Sequence, residues 1–269
     1  MTLRIGEHHV GGDNPPLLIS GNCVLEDLDT ALRTAEFVAE VARRHHFNPV
    51  FKASFDKANR SRKDSFRGPG LDQGLEWLAQ IGRQTGLPLL TDVHLPSQCE
   101  VVAEVVDILQ IPAFLCRQTD LLESAAVTGK IVNVKKGQFL APEAMRNAIQ
   151  KVRDSGNNLV LVTERGSCFG YGDLIVDYRG FSELRSQAPL IFDATHSAQR
   201  PAGASGVTGG DRRLALPLAR AATAVGIDGL FAEVHPDPER ALSDAANALN
   251  FALLDQLLAS CSAILTSLK

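Results

Sequence analysis

Eight short apolar runs, each leading into a longer polar or amphipathic stretch, most narrow what this chain can become. They lie at 17–22 (LLISGN), 49–54 (PVFKAS), 88–93 (PLLTDV), 108–113 (ILQIPA), 131–136 (IVNVKK), 159–164 (LVLVTE), 190–195 (LIFDAT) and 229–234 (GLFAEV). Helical spacing fills most of the gaps, at 27–45, 71–85, 97–105, 118–128, 142–154, 211–225 and 244–267. Nearly continuous apolar strands alternating with amphipathic helices imply a parallel sheet. Eight such strands close into a (β/α)8, or TIM, barrel, for which 269 residues is an ordinary length. A doubly wound open sheet is the rival arrangement. Residues 3–11 (LRIGEHHVG) read as a short β-hairpin ahead of the barrel. No linker or low-complexity tract divides the chain, so residues 1–269 are expected to form a single barrel domain.

The runs end in polar residues of unusual kind. Cys23 follows the first. Lys52 closes the second and leads to Lys57, Asn59, Arg60 and Ser61; Asp92 and His94 follow the third. Gln110 sits in the fourth, before Arg117 and Gln118. Lys135 and Lys136 end the fifth, and Glu164 and Arg165 the sixth. Asp193 and His196 end the seventh, and Glu233 and His235 the eighth. In a barrel these ends share one rim, where barrel enzymes do their chemistry.

Lys52, Lys57, Arg60, Arg117, Lys135, Lys136 and Arg165 are thus expected to converge, although the chain carries a formal net charge of −4. A cationic cleft in an acidic protein fits a strongly anionic small ligand; Arg grips phosphate or carboxylate bidentately and Lys supplies a point charge. Strand alternation allows only one of Lys135 and Lys136 to face inward. The overall charge argues against nucleic acid as a partner. No apolar run reaches the ~18 residues of a membrane span, and the first residues hold no apolar signal core. A cytoplasmic protein without membrane contact is expected. Five scattered cysteines read as thiols, not as a disulfide framework.

Cys23, His196 and Glu233 end strands that neighbour one another in a closed barrel, and Asp244 follows close behind. A thiolate, an imidazole and two carboxylates suit a divalent transition metal such as Fe, Zn, Mn or Co. The competing readings are that Cys23 is a small buried hydrophobe and that His196 is an acid–base group. There is no GxxxxGK[ST] loop and no GxSxG elbow, and Gly170-Tyr171-Gly172 lacks the third glycine of a dinucleotide fingerprint.

Eight stretches in order carry a resemblance: KASFDKANRS (52–61), RGPGL (67–71), TDVH (91–94), IPAFLCRQTD (111–120), NVKKGQF (133–139), RGSCFGY (165–171), FDATHS (192–197) and AEVHPDPE (232–239). Together they resemble the 3-deoxy-D-manno-octulosonate 8-phosphate synthases. The alternative is the related heptulosonate phosphate synthase, which uses erythrose 4-phosphate. Its sugar-site motif is typically Lys-Pro-Arg-[Thr/Ser], where this chain has Lys57-Ala58-Asn59-Arg60-Ser61.

The resemblance implies condensation of phosphoenolpyruvate with D-arabinose 5-phosphate, a step toward lipopolysaccharide. It implies that Lys52, Lys57, Gln110, Lys135 as the inward lysine, and Arg165 grip phosphoenolpyruvate, with Ser54 beside them. It gives the pentose phosphate to Asn59, Arg60 and Ser61. Arg117 and Gln118 would reach the sugar phosphate of a neighbouring subunit, which implies a homotetramer. Metal-free members carry Asn in place of Cys23, so the resemblance implies a metal-dependent enzyme with Cys23, His196, Glu233 and Asp244 as ligands. His196, Asp244 and Lys135 are the expected catalytic groups, with Asp92 as a further candidate.

Overall fold

The computed structural model describes residues 2–60, 62–168, 173–200 and 209–268. Strands Leu17–Gly21, Asn48–Lys52, Leu89–Asp92, Ile108–Ile111, Ile131–Lys135, Val160–Glu164, Leu190–Asp193 and Gly229–Glu233 pair in parallel in chain order. The eighth closes on the first, with Phe231 opposite Ile19. The open-sheet rival is thereby excluded. Leu3–Ile5 and His8–Val10 form the antiparallel hairpin expected before the barrel.

The helices are α1 (Leu28–Arg44), α2 (Leu71–Thr85), α3 (Cys99–Ala103), α4 (Thr119–Val127), α5 (Met145–Asp154), α6 (Phe181–Gln187), α7 (Ala215–Val225) and α8 (Phe251–Ser267). In α1, Ala31, Ala35, Val38 and Ala42 recur at helical spacing and are buried against the sheet, while Asp27 caps the start by accepting from the Thr30 N–H at 2.7 Å. Two expectations need correction. The helix expected from 244 begins only at Phe251, because Asp244 adopts a left-handed φ of 47° and Asn250 caps the helix by accepting from the Leu253 N–H. Helix α6 was not anticipated; its seven residues are too few for a helical period to stand out.

Two apolar clusters result. The larger lies between sheet and helices. The smaller sits inside the barrel and takes Ile19, Val50, Leu90, Ile108, Ile131, Leu161, Ile191 and Phe231, one from each strand. Leu3, Ile5 and Val10 of the hairpin join it, so the hairpin plugs the N-terminal end. Two residues further along each strand the same inward face carries Gly21, Lys52, Asp92, Gln110, Asn133, Thr163, Asp193 and Glu233. The barrel thus changes from oil to charge within one tier. Gly21 is required at its place in that tier, since a Cβ there would strike the Lys52 carbonyl oxygen.

Candidate active site

Above this polar tier opens a cavity of about 920 Å³, lined among others by Lys52, Lys57, Arg60, Lys135 and Arg165. The cavity thus gathers five of the seven expected cations; the other two are a correction. Lys136 turns away and donates to the Gly137 and Leu140 carbonyls at 3.2 Å each and to Ser167 Oγ at 3.0 Å, with Glu164 at 3.6 Å. Arg117 and Gln118 are exposed and lie outside this cavity, at the entrance to α4. Asn59 lines the cavity. Ser61 lies outside the described residues.

The tier and the rim are knitted together by charge. Lys52 Nζ meets Glu233 Oε1 at 2.9 Å and the Cys23 carbonyl at 3.0 Å. Lys57 approaches the same carboxylate at 3.6 Å. Lys135 Nζ lies 2.5 Å from Asp193 Oδ2 and 4.2 Å from the centroid of the Phe231 ring, so a floor aromatic supports a mouth cation. Ser54 donates to Asp92 at 2.8 Å, and His94 Nε2 stands 3.4 Å from that carboxylate. Burial opposes the charge on Asp92, but the hydrogen bond from His94 and the Lys52 and Lys57 cations outweigh it, and the group is held well below the ordinary carboxylate range. Asp193 and Glu233 are likewise held ionised against burial, the first by His196 and Lys135, the second by Lys52, His196 and Lys57. Burial depresses Arg165. Its Nη2 donates to Gln199 Oε1 at 2.6 Å, while its buried Nη1 has no partner among the described residues. A guanidinium N–H that faces a polar cavity suits a carboxylate or phosphate as its acceptor.

The four residues picked out as a metal set do converge. Ligand atoms of Cys23, Glu233 and Asp244 all lie within 4.8 Å of one another. His196 Nε2 is 3.5 Å from Glu233 Oε1 and 3.9 Å from Asp244 Oδ2. Its other nitrogen, Nδ1, lies 2.7 Å from Asp193 Oδ2. A carboxylate behind Nδ1 fixes the proton there and turns the Nε2 lone pair toward the cluster, the arrangement that orients imidazole ligands. Burial, and then Glu233, push the Cys23 thiol well above its ordinary value, so this sulfur becomes a thiolate only beside a cation. Donor set and spacing fit a divalent transition ion.

Two contributors carried no signal in the sequence. Gln199 accepts from Arg165 and donates to Asp244 Oδ2 at 3.3 Å, joining the guanidinium to the candidate metal ligands. Ser243 takes hydrogen bonds from Cys23 Sγ at 3.1 Å and from Arg60 at 2.6 Å. Neither is charged, and neither sits in a barrel strand. The position of Gln199 three residues after His196 is the one cue that could have found it.

The DAHP synthetase I family matches residues 3–266. The chain belongs to that family. Within it, the chain is 54% identical over 248 residues to the "2-dehydro-3-deoxyphosphooctonate aldolase" of Nitratidesulfovibrio vulgaris strain DP4, covering 92% of this chain and 91% of that relative. It is 53% identical over 249 residues to the protein of the same name from Syntrophotalea carbinolica, covering 92% and 90%. It is 52% identical over 265 residues to that of Desulfatibacillum aliphaticivorans, covering 98% and 97%. Among the described residues no helix is long and apolar enough to cross a membrane.

Proposed function

We propose that this chain condenses phosphoenolpyruvate with D-arabinose 5-phosphate and water, giving 3-deoxy-D-manno-octulosonate 8-phosphate and inorganic phosphate. The observation that carries this reading is the gathering of Lys52, Lys57, Arg60, Lys135 and Arg165, with Arg62 and Arg67, around one cavity of a chain whose formal net charge is −4. Two polyanionic substrates must meet for this reaction, and fixed cations offset their repulsion while setting the geometry of attack. The octonate named in all three relatives supports the eight-carbon product over the heptulosonate alternative.

Lys52, Lys57, Gln110, Lys135 and Arg165 hold phosphoenolpyruvate, and Asn59, Arg60 and Ser61 hold the pentose phosphate. The enol carbon forms a bond to the aldehyde carbon, whose oxygen takes up a proton. Water adds to the former enol-ether carbon and loses a proton. The resulting hemiketal phosphate breaks its C–O bond and releases phosphate. Cys23, His196, Glu233 and Asp244 would hold a divalent metal ion, which would supply a Lewis-acid centre able to orient an aldehyde or a water. His196 and Asp244 also face the reacting atoms as proton carriers. Asp92, held ionised by its neighbours, serves better to fix those neighbours than to donate a proton.

The exposed Arg117 and Gln118 fit a role toward a second subunit of a homotetramer, and residues 1–269 act as one catalytic domain in the cytoplasm. The test is to supply the purified protein with phosphoenolpyruvate and either arabinose 5-phosphate or erythrose 4-phosphate and to follow phosphate release. Release with arabinose 5-phosphate alone is expected. Release with erythrose 4-phosphate alone would transfer the assignment to the heptulosonate reaction.

A further inference from the structure

Four side chains from strands three to six form a single directed chain of hydrogen bonds beneath the cavity. Thr163 Oγ1 lies 2.7 Å from Asn133 Oδ1, Asn133 Nδ2 lies 3.0 Å from Gln110 Oε1, and Gln110 Nε2 lies 3.5 Å from Asp92 Oδ1. All four residues are buried. Among the described residues Gln110 and Asp92 line the cavity, whereas Asn133 and Thr163 do not.

The direction of this chain follows from its ends. An ionised carboxylate only accepts, so Asp92 draws the Gln110 N–H toward itself. The Gln110 carbonyl must then point at Asn133, whose amide N–H donates to it. That leaves the Asn133 carbonyl toward Thr163, and a hydroxyl can donate there. Reversing Gln110 would set its carbonyl against the Asp92 carboxylate, and reversing Asn133 would set its carbonyl against that of Gln110. The outcome is that Gln110 has one N–H directed at Asp92 and the second available to a ligand, while its carbonyl is turned away.

We propose that Asn133 and Thr163 are positioning residues, which lock the Gln110 carboxamide so that it presents an N–H, and not a carbonyl, to the anion in the cavity. The inference deepens the reading above, since it takes that anion to be phosphoenolpyruvate. It also explains why strands five and six place polar side chains in the interior directly above Ile131 and Leu161 when neither lines the cavity.

Thr163→Val keeps the shape and removes the hydroxyl. Asn133→Asp keeps the shape and replaces the donor to Gln110 by an acceptor, which favours the reversed amide. Calorimetric titration of each purified variant with phosphoenolpyruvate, and separately with arabinose 5-phosphate, reads the effect. The expected result is that phosphoenolpyruvate binding weakens about tenfold in Thr163→Val, and more in Asn133→Asp, as loss of an oriented hydrogen bond to a charged ligand implies. Arabinose 5-phosphate binding stays unchanged. The KM for phosphoenolpyruvate rises in parallel more than kcat falls, and Thr163→Ser restores the wild-type value. Equal weakening of both ligands, no change in phosphoenolpyruvate binding, or no rescue by Thr163→Ser would overturn the inference. Should Thr163→Val fail to fold, Asn133→Asp decides alone. Wild-type protein that binds neither substrate would instead remove the functional reading itself, so the two failures are separable.

Discussion

The two ends of the barrel are made from the same eight strands and differ in almost every physical property. At the floor, Ile19, Val50, Leu90, Ile108, Ile131, Leu161, Ile191 and Phe231 pack dry beneath the hairpin. Two residues higher, Lys52, Asp92, Asp193 and Glu233 carry buried charge, with Lys135 one turn of the pleat above them, and Arg165 keeps one buried N–H without a partner among the described residues. The floor is stabilising by its area removed from water. The mouth is costly to fold, because each buried charge must be compensated by a partner. The difference teaches that strand periodicity alone can divide one closed sheet into a part that holds the fold and a part that holds a ligand.

Substitutions at the two ends should therefore separate stability from activity. The largest effect is expected at the metal set. Exhaustive chelation should lower phosphate release about 1,000-fold, roughly 4 kcal/mol of transition-state stabilisation. Added divalent ion should restore it, and the floor should keep the protein folded meanwhile by circular dichroism. Full turnover after chelation would remove the metal from the account. Next comes Leu161→Ala in the floor. A fully buried Leu truncated to Ala costs about 2–5 kcal/mol of unfolding free energy, read as a lower denaturant midpoint. Turnover per folded molecule should be unaltered; a fall in turnover with intact stability would break the division.

Arg60→Ala should act at the mouth only. Arg60 reaches Ser243 and the Leu242 carbonyl and lines the cavity. The KM for arabinose 5-phosphate should rise about tenfold or more, as loss of a charged hydrogen-bond donor implies. The KM for phosphoenolpyruvate should move much less, and equal effects on both would reject the division of the cavity between two phosphates.

The smallest effect belongs to the surrounding shell. The Tyr178 hydroxyl donates to the Leu218 carbonyl at 3.0 Å, and burial raises its pKa to about 12 from the ordinary value of 10.0. Between those values the unfolded chain ionises first, so the contribution is whole below pH 10.0 and lost as pH rises toward 12. Tyr178→Phe should flatten that part of the curve of unfolding midpoint against pH, whereas an unchanged slope would assign the alkaline loss to other groups.

The sequence was most legible where a residue's neighbours repeat. All eight strands stood out because their apolar runs are short and end in polar residues. Alternation showed that only one of Lys135 and Lys136 faces inward, the resemblance chose Lys135, and the structure gives Lys136 its own carbonyl partners. What stayed hidden depends on contacts between distant segments. Asn133 and Thr163 sit inside runs that look apolar, and their meaning appears only when strands four, five and six are side by side. The loop from Ala241 to Asn250 reads as a helix extension, yet the Leu242 N–H is held by Glu26 and Asp244 takes a positive φ. Arg117 carries the same charge as its strand-end counterparts, but its place before α4 turns it out of the cavity.

The most direct measurement is a crystal structure of the protein soaked with phosphoenolpyruvate and arabinose 5-phosphate. The account predicts both ligands in the single cavity, one phosphate within hydrogen-bond reach of Arg165 and Lys135 and the other beside Arg60. Ligands seated elsewhere, with Lys135 still on Asp193, Arg165 on Gln199 and Arg60 on Ser243, would contradict it.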